Sequence, residues 1–234
     1  MVGAAGGRGQ FSGYGRAMRL APALLAVAAC SSSSSVGDGD VVRHLRGLTR
    51  DRRAALIAEA DGRTRATGVV ARGDQPLTLL GPTLEVGAAA PDVALLDGEL
   101  RPWRLADQRG KVVLLSVVPS IDTRVCESQT HHVSDLIAQL PAGTVVATVS
   151  RDLPFAQTRF AEEAHTQTLM LSDARDRGFG RGFGVEVEES GLLARSTWVI
   201  DKTGAVAYRE LVADQTTEPA YEPLVAAAQA AAAK

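Results

Sequence analysis

Cys126 ends the stretch PSIDTRVC, residues 119–126, which follows the apolar run KVVLLSVV and precedes a segment of helical spacing. A thiol at the start of a helix faces unpaired backbone N–H groups and the positive end of the helix dipole. Both favour thiolate over thiol, and the thiolate is the nucleophile. Thr123 stands three residues ahead of Cys126, where a C-x-x-C dithiol would have its other cysteine. The segment therefore offers a solitary nucleophile with a hydroxyl beside it, which argues against thiol–disulfide exchange of the thioredoxin kind. Pro119 has no N–H of its own and would fix the backbone of the loop. Position alone leaves one other reading open, a buried and inert cysteine that fills the core.

The surrounding pattern supplies the elements that would hold this thiol. TGVVARGDQPLTLLG reads as a β-hairpin turning at Gly73-Asp74. DVALLDGELRPWRL suggests a short strand and an irregular link. Residues 111–118 are continuously apolar, as in a central strand buried on both faces. VCESQTHHVSDLIAQL follows with Val125, Val133, Leu136, Ile137 and Leu140 on one helical face. GTVVATVS is a second buried strand, LPFAQTRFAEEA a helix with Pro154 in its first turn, and TLMLSD a short strand. STWVIDKTGAVAYREL reads as a hairpin turning at Asp201–Gly204, and EPAYEPLVAAAQAAAA as a closing helix with Pro219 near its first position. This order implies an α/β chain with a thioredoxin-like fold: a central mixed sheet flanked by helices, with an N-terminal β-hairpin.

The motif P-x-x-x-T-x-x-C in PSIDTRVC resembles the active-site pattern of the peroxiredoxin family. RDLPFAQTRF (151–160), GLLARSTWVID (191–201) and LVADQTTEP (211–219) resemble successive segments of its bacterial thiol peroxidase branch, from about Thr67 to Ala228. The resemblance implies that Cys126 is the peroxidatic cysteine, attacking the O–O bond and becoming sulfenic acid. It implies that the Thr123 hydroxyl orients the peroxide, that Pro119 closes the pocket, and that Arg195 supports the thiolate and the charge developing on oxygen. It also implies a homodimer whose interface draws on residues 151–160, and no metal or organic cofactor. Two departures stand out. Where the branch continues with a resolving cysteine after Arg159 and Phe160, this chain has Ala161. An external thiol or thioredoxin-like reductant would then have to attack the sulfenic acid in a one-cysteine cycle, and without one Cys126 is open to over-oxidation. Arg124 replaces the family's common glycine and adds a cation beside the motif.

The chain has 234 residues, a formal charge of −2, 45% hydrophobic residues and two cysteines. That is length for one domain plus appendages, with no basic excess pointing to nucleic acid. RAMRLAPALLAVAACSSSSS, residues 16–35, has the layout of a secretory signal: Arg16 and Arg19, a short apolar run, then small residues before Cys30. VAAC with its serine run resembles the lipobox of bacterial lipoproteins, which implies a lipidated Cys30 and membrane attachment. The expected organisation is a signal peptide over 1–29, with Met18 an alternative start. A lipidated Cys30, serine tether and basic linker or helix follow over 30–65, and the peroxidase domain covers 66–234. Residues 40–60 have helical periodicity, with five arginines from Arg43 to Arg53. The expected location is the cell envelope, on the periplasmic side and at the outer membrane in a Gram-negative cell. Such an anchor would favour lipid and alkyl hydroperoxides as substrates beside hydrogen peroxide. The non-enzymatic alternative is a tethered peroxide sensor. His131-His132 reads as exposed helix surface rather than a metal site, RGFGRGFG (177–184) as a loop or short helix, and no G-x-S-x-G hydrolase motif occurs.

Overall fold

The computed structural model describes residues 57–60 and 63–234. The expected signal peptide over 1–29, the expected lipidation site Cys30, and most of the expected serine tether and basic linker lie outside the described residues. Eleven strands are described: β1 (Ile57–Ala60), β2 (Arg63–Arg72), β3 (Gln75–Leu80), β4 (Ala94–Leu96), β5 (Pro102–Arg104), β6 (Val113–Val117), β7 (Val145–Ser150), β8 (Leu169–Ser172), β9 (Glu186–Val187), β10 (Ser196–Ile200) and β11 (Val206–Leu211). Four α-helices accompany them: α1 (Arg124–Leu136), α2 (Pro154–Glu163), α3 (Gly178–Gly182) and α4 (Tyr221–Ala232).

Seven strands form the main sheet in the order β11-β10-β6-β7-β8-β4-β5, with β6, β7 and β8 parallel and the outer pairs antiparallel. This is the mixed, helix-flanked sheet of a thioredoxin-like α/β fold. β6 can lie inside the sheet, between β10 and β7, because every one of its residues is apolar or satisfied: VLLSV is buried throughout, and Ser116 finds a side-chain partner. A second sheet, β1-β2-β3-β9, contains the expected hairpin, which turns at Gly73 with φ +60°. Glycine reaches that left-handed region without steric cost.

Three expectations are corrected. Ile57–Ala60, taken into a helical pattern above, is a strand paired with residues 63–66 of β2. Backbone pairing outweighs a weak apolar period where a neighbouring strand is available. The link after β4 is a second strand, β5, which pairs back on it. Pro219 lies before the N-cap Ala220 of α4 rather than near its first position.

The face that α1 buries also differs from the apolar spacing. Cys126, Gln129, Thr130, Val133 and Ser134 are buried, a regular i, i+3, i+4, i+7, i+8 stripe. Val125, Leu136, Ile137 and Leu140 are only half-buried. Polar residues can occupy the inner stripe because each has a partner: Gln129 bonds Ser116, Thr130 bonds the Cys126 carbonyl and Ser134 accepts from Gln167 N. α2 begins as expected, with Pro154 at its first position.

Candidate active site

β6 delivers the chain to Pro119, half-buried just beyond its end, and six residues later α1 is under way. Thr123 is the N-cap, extended at φ −123° and ψ 142°, with no side-chain bond to the backbone N–H groups it precedes. An N-cap hydroxyl normally accepts from the second or third helical amide. Here Thr123 Oγ1 donates instead to Cys126 Sγ at 2.8 Å. The cap has been diverted from backbone to sulfur. Thr123 Oγ1 also lies 3.4 Å from the Ser120 carbonyl.

Cys126 is a free thiol with 0% of its surface exposed. It packs with Val118, Ile121 and Met170, and Ala156, Phe160 and Ala161 of α2 lie against that cluster. Ala161, at the expected resolving position, is therefore next to the apolar shell of the thiol.

Arg195 comes from the residue before β10 and is 2% exposed. Its Nη2 reaches Cys126 Sγ at 3.3 Å, and its Nη1 donates to Gln129 Oε1 at 2.6 Å and approaches the Val125 carbonyl at 3.5 Å. Nε donates to the Gln215 carbonyl at 3.3 Å, and the Arg195 backbone N–H donates to Gln215 Oε1. Gln129 is itself fixed, donating through Nε2 to Ser116 Oγ at 2.8 Å. Among the described residues no carboxylate forms an ion pair with Arg195; its partners are an amide oxygen, carbonyls and one sulfur. The Arg195 guanidinium and the Thr123 hydroxyl thus both aim a donor at the one sulfur.

The structure thus brings Cys126, Thr123 and Arg195 together. It places Pro119 at the head of the same loop and Arg124 exposed at the first position of α1. Gln129 and Gln215 were not singled out from the sequence. The first could have been, because it lies three residues beyond Cys126 and so shares its helical face; nothing in the spacing marks the second.

Residues 85–225 match the redoxin family. The chain belongs to the redoxin family, in its thiol peroxidase branch. It is 50% identical over 127 residues to a thiol peroxidase of Halalkalibacterium halodurans, covering 54% of this chain and 76% of the relative. It is 47% identical over 131 residues to a thiol peroxidase of Bacillus subtilis, covering 55% and 77%. Among solved structures, a peroxiredoxin-like protein from Aquifex aeolicus superposes with a TM-score of 0.66 at 37% identity, over 70% of this chain and 96% of that one. A thiol peroxidase from Chromobacterium violaceum shares the fold, with a TM-score of 0.58 at 20% identity.

The two adjacent histidines of this redoxin differ in exposure. His132 is exposed, lies 2.5 Å from Glu218 Oε2 through Nδ1, and its ring tilts against that of Tyr221 at 5.2 Å. His131 is half-buried, and among the described residues no group of three or more metal-ligating side chains occurs. RGFGRGFG contains the short α3. Its buried side is built by Asp173, which accepts from Phe179 N and Gly180 N and pairs with Arg151. That is a structural ion cluster, extended by Glu186.

Proposed function

We propose that this thiol-dependent peroxidase works through Cys126 in a one-cysteine cycle. The observation that carries the reading is the buried Arg195 guanidinium, without a carboxylate partner among the described residues and 3.3 Å from Cys126 Sγ. The Cys126 thiolate attacks one oxygen of a hydroperoxide. An S–O bond forms, the O–O bond breaks, and the leaving alkoxide or hydroxide takes a proton to become alcohol or water. Cys126 is oxidised to sulfenic acid and the peroxide is reduced. Thr123 and Arg195 supply donors where negative charge develops on oxygen, which is where such donors are most effective. Pro119, at the head of the loop, offers no competing N–H.

Ala161 stands where the branch's resolving cysteine would be, and Cys126 is the one cysteine among the described residues. An external thiol therefore attacks the sulfenic sulfur, releasing water and leaving a mixed disulfide. A second thiol then restores Cys126 and leaves as the disulfide. The relatives named as thiol peroxidases favour this reading over a sensor or a thiol-exchange protein. The lipobox-like VAAC and serine run support a lipid anchor at Cys30 in the cell envelope, and with it a preference for lipid and alkyl hydroperoxides. Leu153 and Phe155, 60% and 66% exposed at the start of α2, support a homodimer that covers them.

The test is intact mass measurement of the full chain before and after peroxide, with and without a small thiol. The expected products are Cys126 sulfenic acid alone, and a mixed disulfide at Cys126 when the thiol is present. Repeated peroxide turnover by Cys126→Ser would overturn the reading.

A further inference from the structure

Asp152 lies between the end of β7 and the start of α2, and its carboxylate is spent entirely on the loop that carries the thiol. Oδ1 accepts from Ser120 Oγ at 3.0 Å and Oδ2 accepts from the Ile121 backbone N–H at 2.9 Å. Ser120 is in turn the residue around which the loop closes: its Oγ lies 3.3 Å from Asp122 N, and its carbonyl lies 3.4 Å from Thr123 Oγ1. The same Thr123 hydroxyl is the one that meets Cys126 Sγ. The carboxylate is held on a stiff base. The Asp152 backbone N–H reaches Ser150 Oγ at 3.3 Å, and its carbonyl accepts from Ser172 Oγ at 2.6 Å, so the ends of both β7 and β8 fix it. The hydrogen bonds of Asp152 reach neither Cys126 nor Arg195.

We propose that Asp152 is a positioning residue for the peroxide step. Its two-point grip on Ser120 and Ile121 sets the loop so that the Thr123 hydroxyl points at the sulfur. The inference rests on the reading of Cys126 as the reacting thiol. Because Asp152 immediately precedes the exposed Leu153 and Phe155, the grip also joins the thiol loop to that apolar face. The physical stake is orientation: a displacement of about 1 Å in a reacting constellation costs on the order of 10²-fold in rate.

The experiment measures single-turnover oxidation of Cys126 in the full chain by hydrogen peroxide and by cumene hydroperoxide, across a pH series, for parent and variants. Asp152→Ala is expected to slow oxidation tenfold or more and to displace the pH–rate profile, while the count of titratable thiols stays at the parent's. Asp152→Asn keeps an acceptor for one of the two bonds and is expected to fall between. Asp122→Asn, which removes a charge from the same loop and breaks neither bond, is expected to match the parent. Should Asp152→Ala fail to fold, Asp152→Asn and Ser120→Ala carry the test, each removing one arm of the grip. Parent-like rates and pH profiles in the folded variants overturn the proposal, as does a loss that merely tracks the folded fraction with the profile unmoved. Equal slowing by Asp122→Asn also overturns it, by assigning the effect to charge. A parent that forms no sulfenic acid at Cys126 overturns the peroxidase reading itself, an outcome distinct from these.

Discussion

Arg195 Nη2 lies 3.3 Å from Cys126 Sγ, and the two residues are separated by 69 positions in the chain. The antiparallel pairing of β10 with β6 makes the contact possible, since Ser196 sits opposite Val117 and places its neighbour Arg195 over the start of α1.

Replacing Arg195 tests the worth of that contact. Arg195→Gln should lower the rate of peroxide reduction by ~10²–10³, the usual loss when one donor to developing charge is removed. Arg195→Lys should recover little of it, because an ammonium cannot hold Gln129, Gln215 and the sulfur at once as the planar fork does. Stopped-flow oxidation rates at saturating thiol check both.

Thr123 can be read separately from its role as helix cap. Thr123→Val removes the donor to Cys126 Sγ while keeping the shape, and should slow oxidation about tenfold or more. Thr123→Ser, which keeps the hydroxyl, should stay near the parent. A loss in Thr123→Ser, with Thr123→Val at the parent's rate, would show that the methyl group, rather than the donor, matters.

Ala161 packs against the apolar cluster around Cys126. Ala161→Cys should therefore supply an internal partner for the sulfenic acid. After one equivalent of peroxide, thiol titration of this variant should fall by two thiols per chain, and an internal disulfide should appear in peptide mapping. A fall of one thiol, with only sulfenic or sulfinic acid found, would show that α2 cannot approach.

Glu218 gives the acid side of the stability profile. Burial pushes its carboxyl up, but hydrogen bonds from Tyr221, Ser128 and His132 outweigh this and hold it below the ordinary 4.5. Its folded value lies below its unfolded one, so its contribution is fully present above the unfolded value. The contribution is lost as pH falls through the folded value. Glu218→Gln should flatten that part of the stability–pH curve and leave the neutral region less affected, as read by urea midpoints between pH 3 and 7. The same carboxylate raises the Tyr221 phenol, after burial as the larger cause, so Tyr221 stays protonated throughout.

Gly180 lies in the buried ion cluster. A methyl group there would come 2.6 Å from Arg151 Nη2 and 2.7 Å from Leu193 Cδ2. Neither neighbour is free to move: Arg151 is paired with Asp173 and Glu186, and Leu193 is fully buried. Gly180→Ala should cost about 1–3 kcal/mol, measured by chemical denaturation.

Sequence by itself determined the local structure around the nucleophile. The apolar run, broken only by Ser116, became β6, Pro154 opened α2, and Gly73 and Asp201–Gly204 turned their hairpins. It also placed Cys126 on the first turn of a helix with Thr123 before it. These features depend on burial period, on φ restrictions and on turn chemistry, all of which act between residues close in the chain. The motif match added Arg195 by likeness, without saying what it would touch. Only the tertiary structure decided that α1 would bury Gln129 and Thr130 instead of its most apolar stripe, that Ile57–Ala60 would pair as a strand, and that Gln215 and Asp152 would hold Arg195 and the thiol loop. Arg195 and Gln215 are 20 residues apart and Asp152 and Ile121 are 31 apart, while the others depend on which element lies beside which. No local preference encodes them; they exist once β6, β7 and β10 are paired and polar groups without water must find one another.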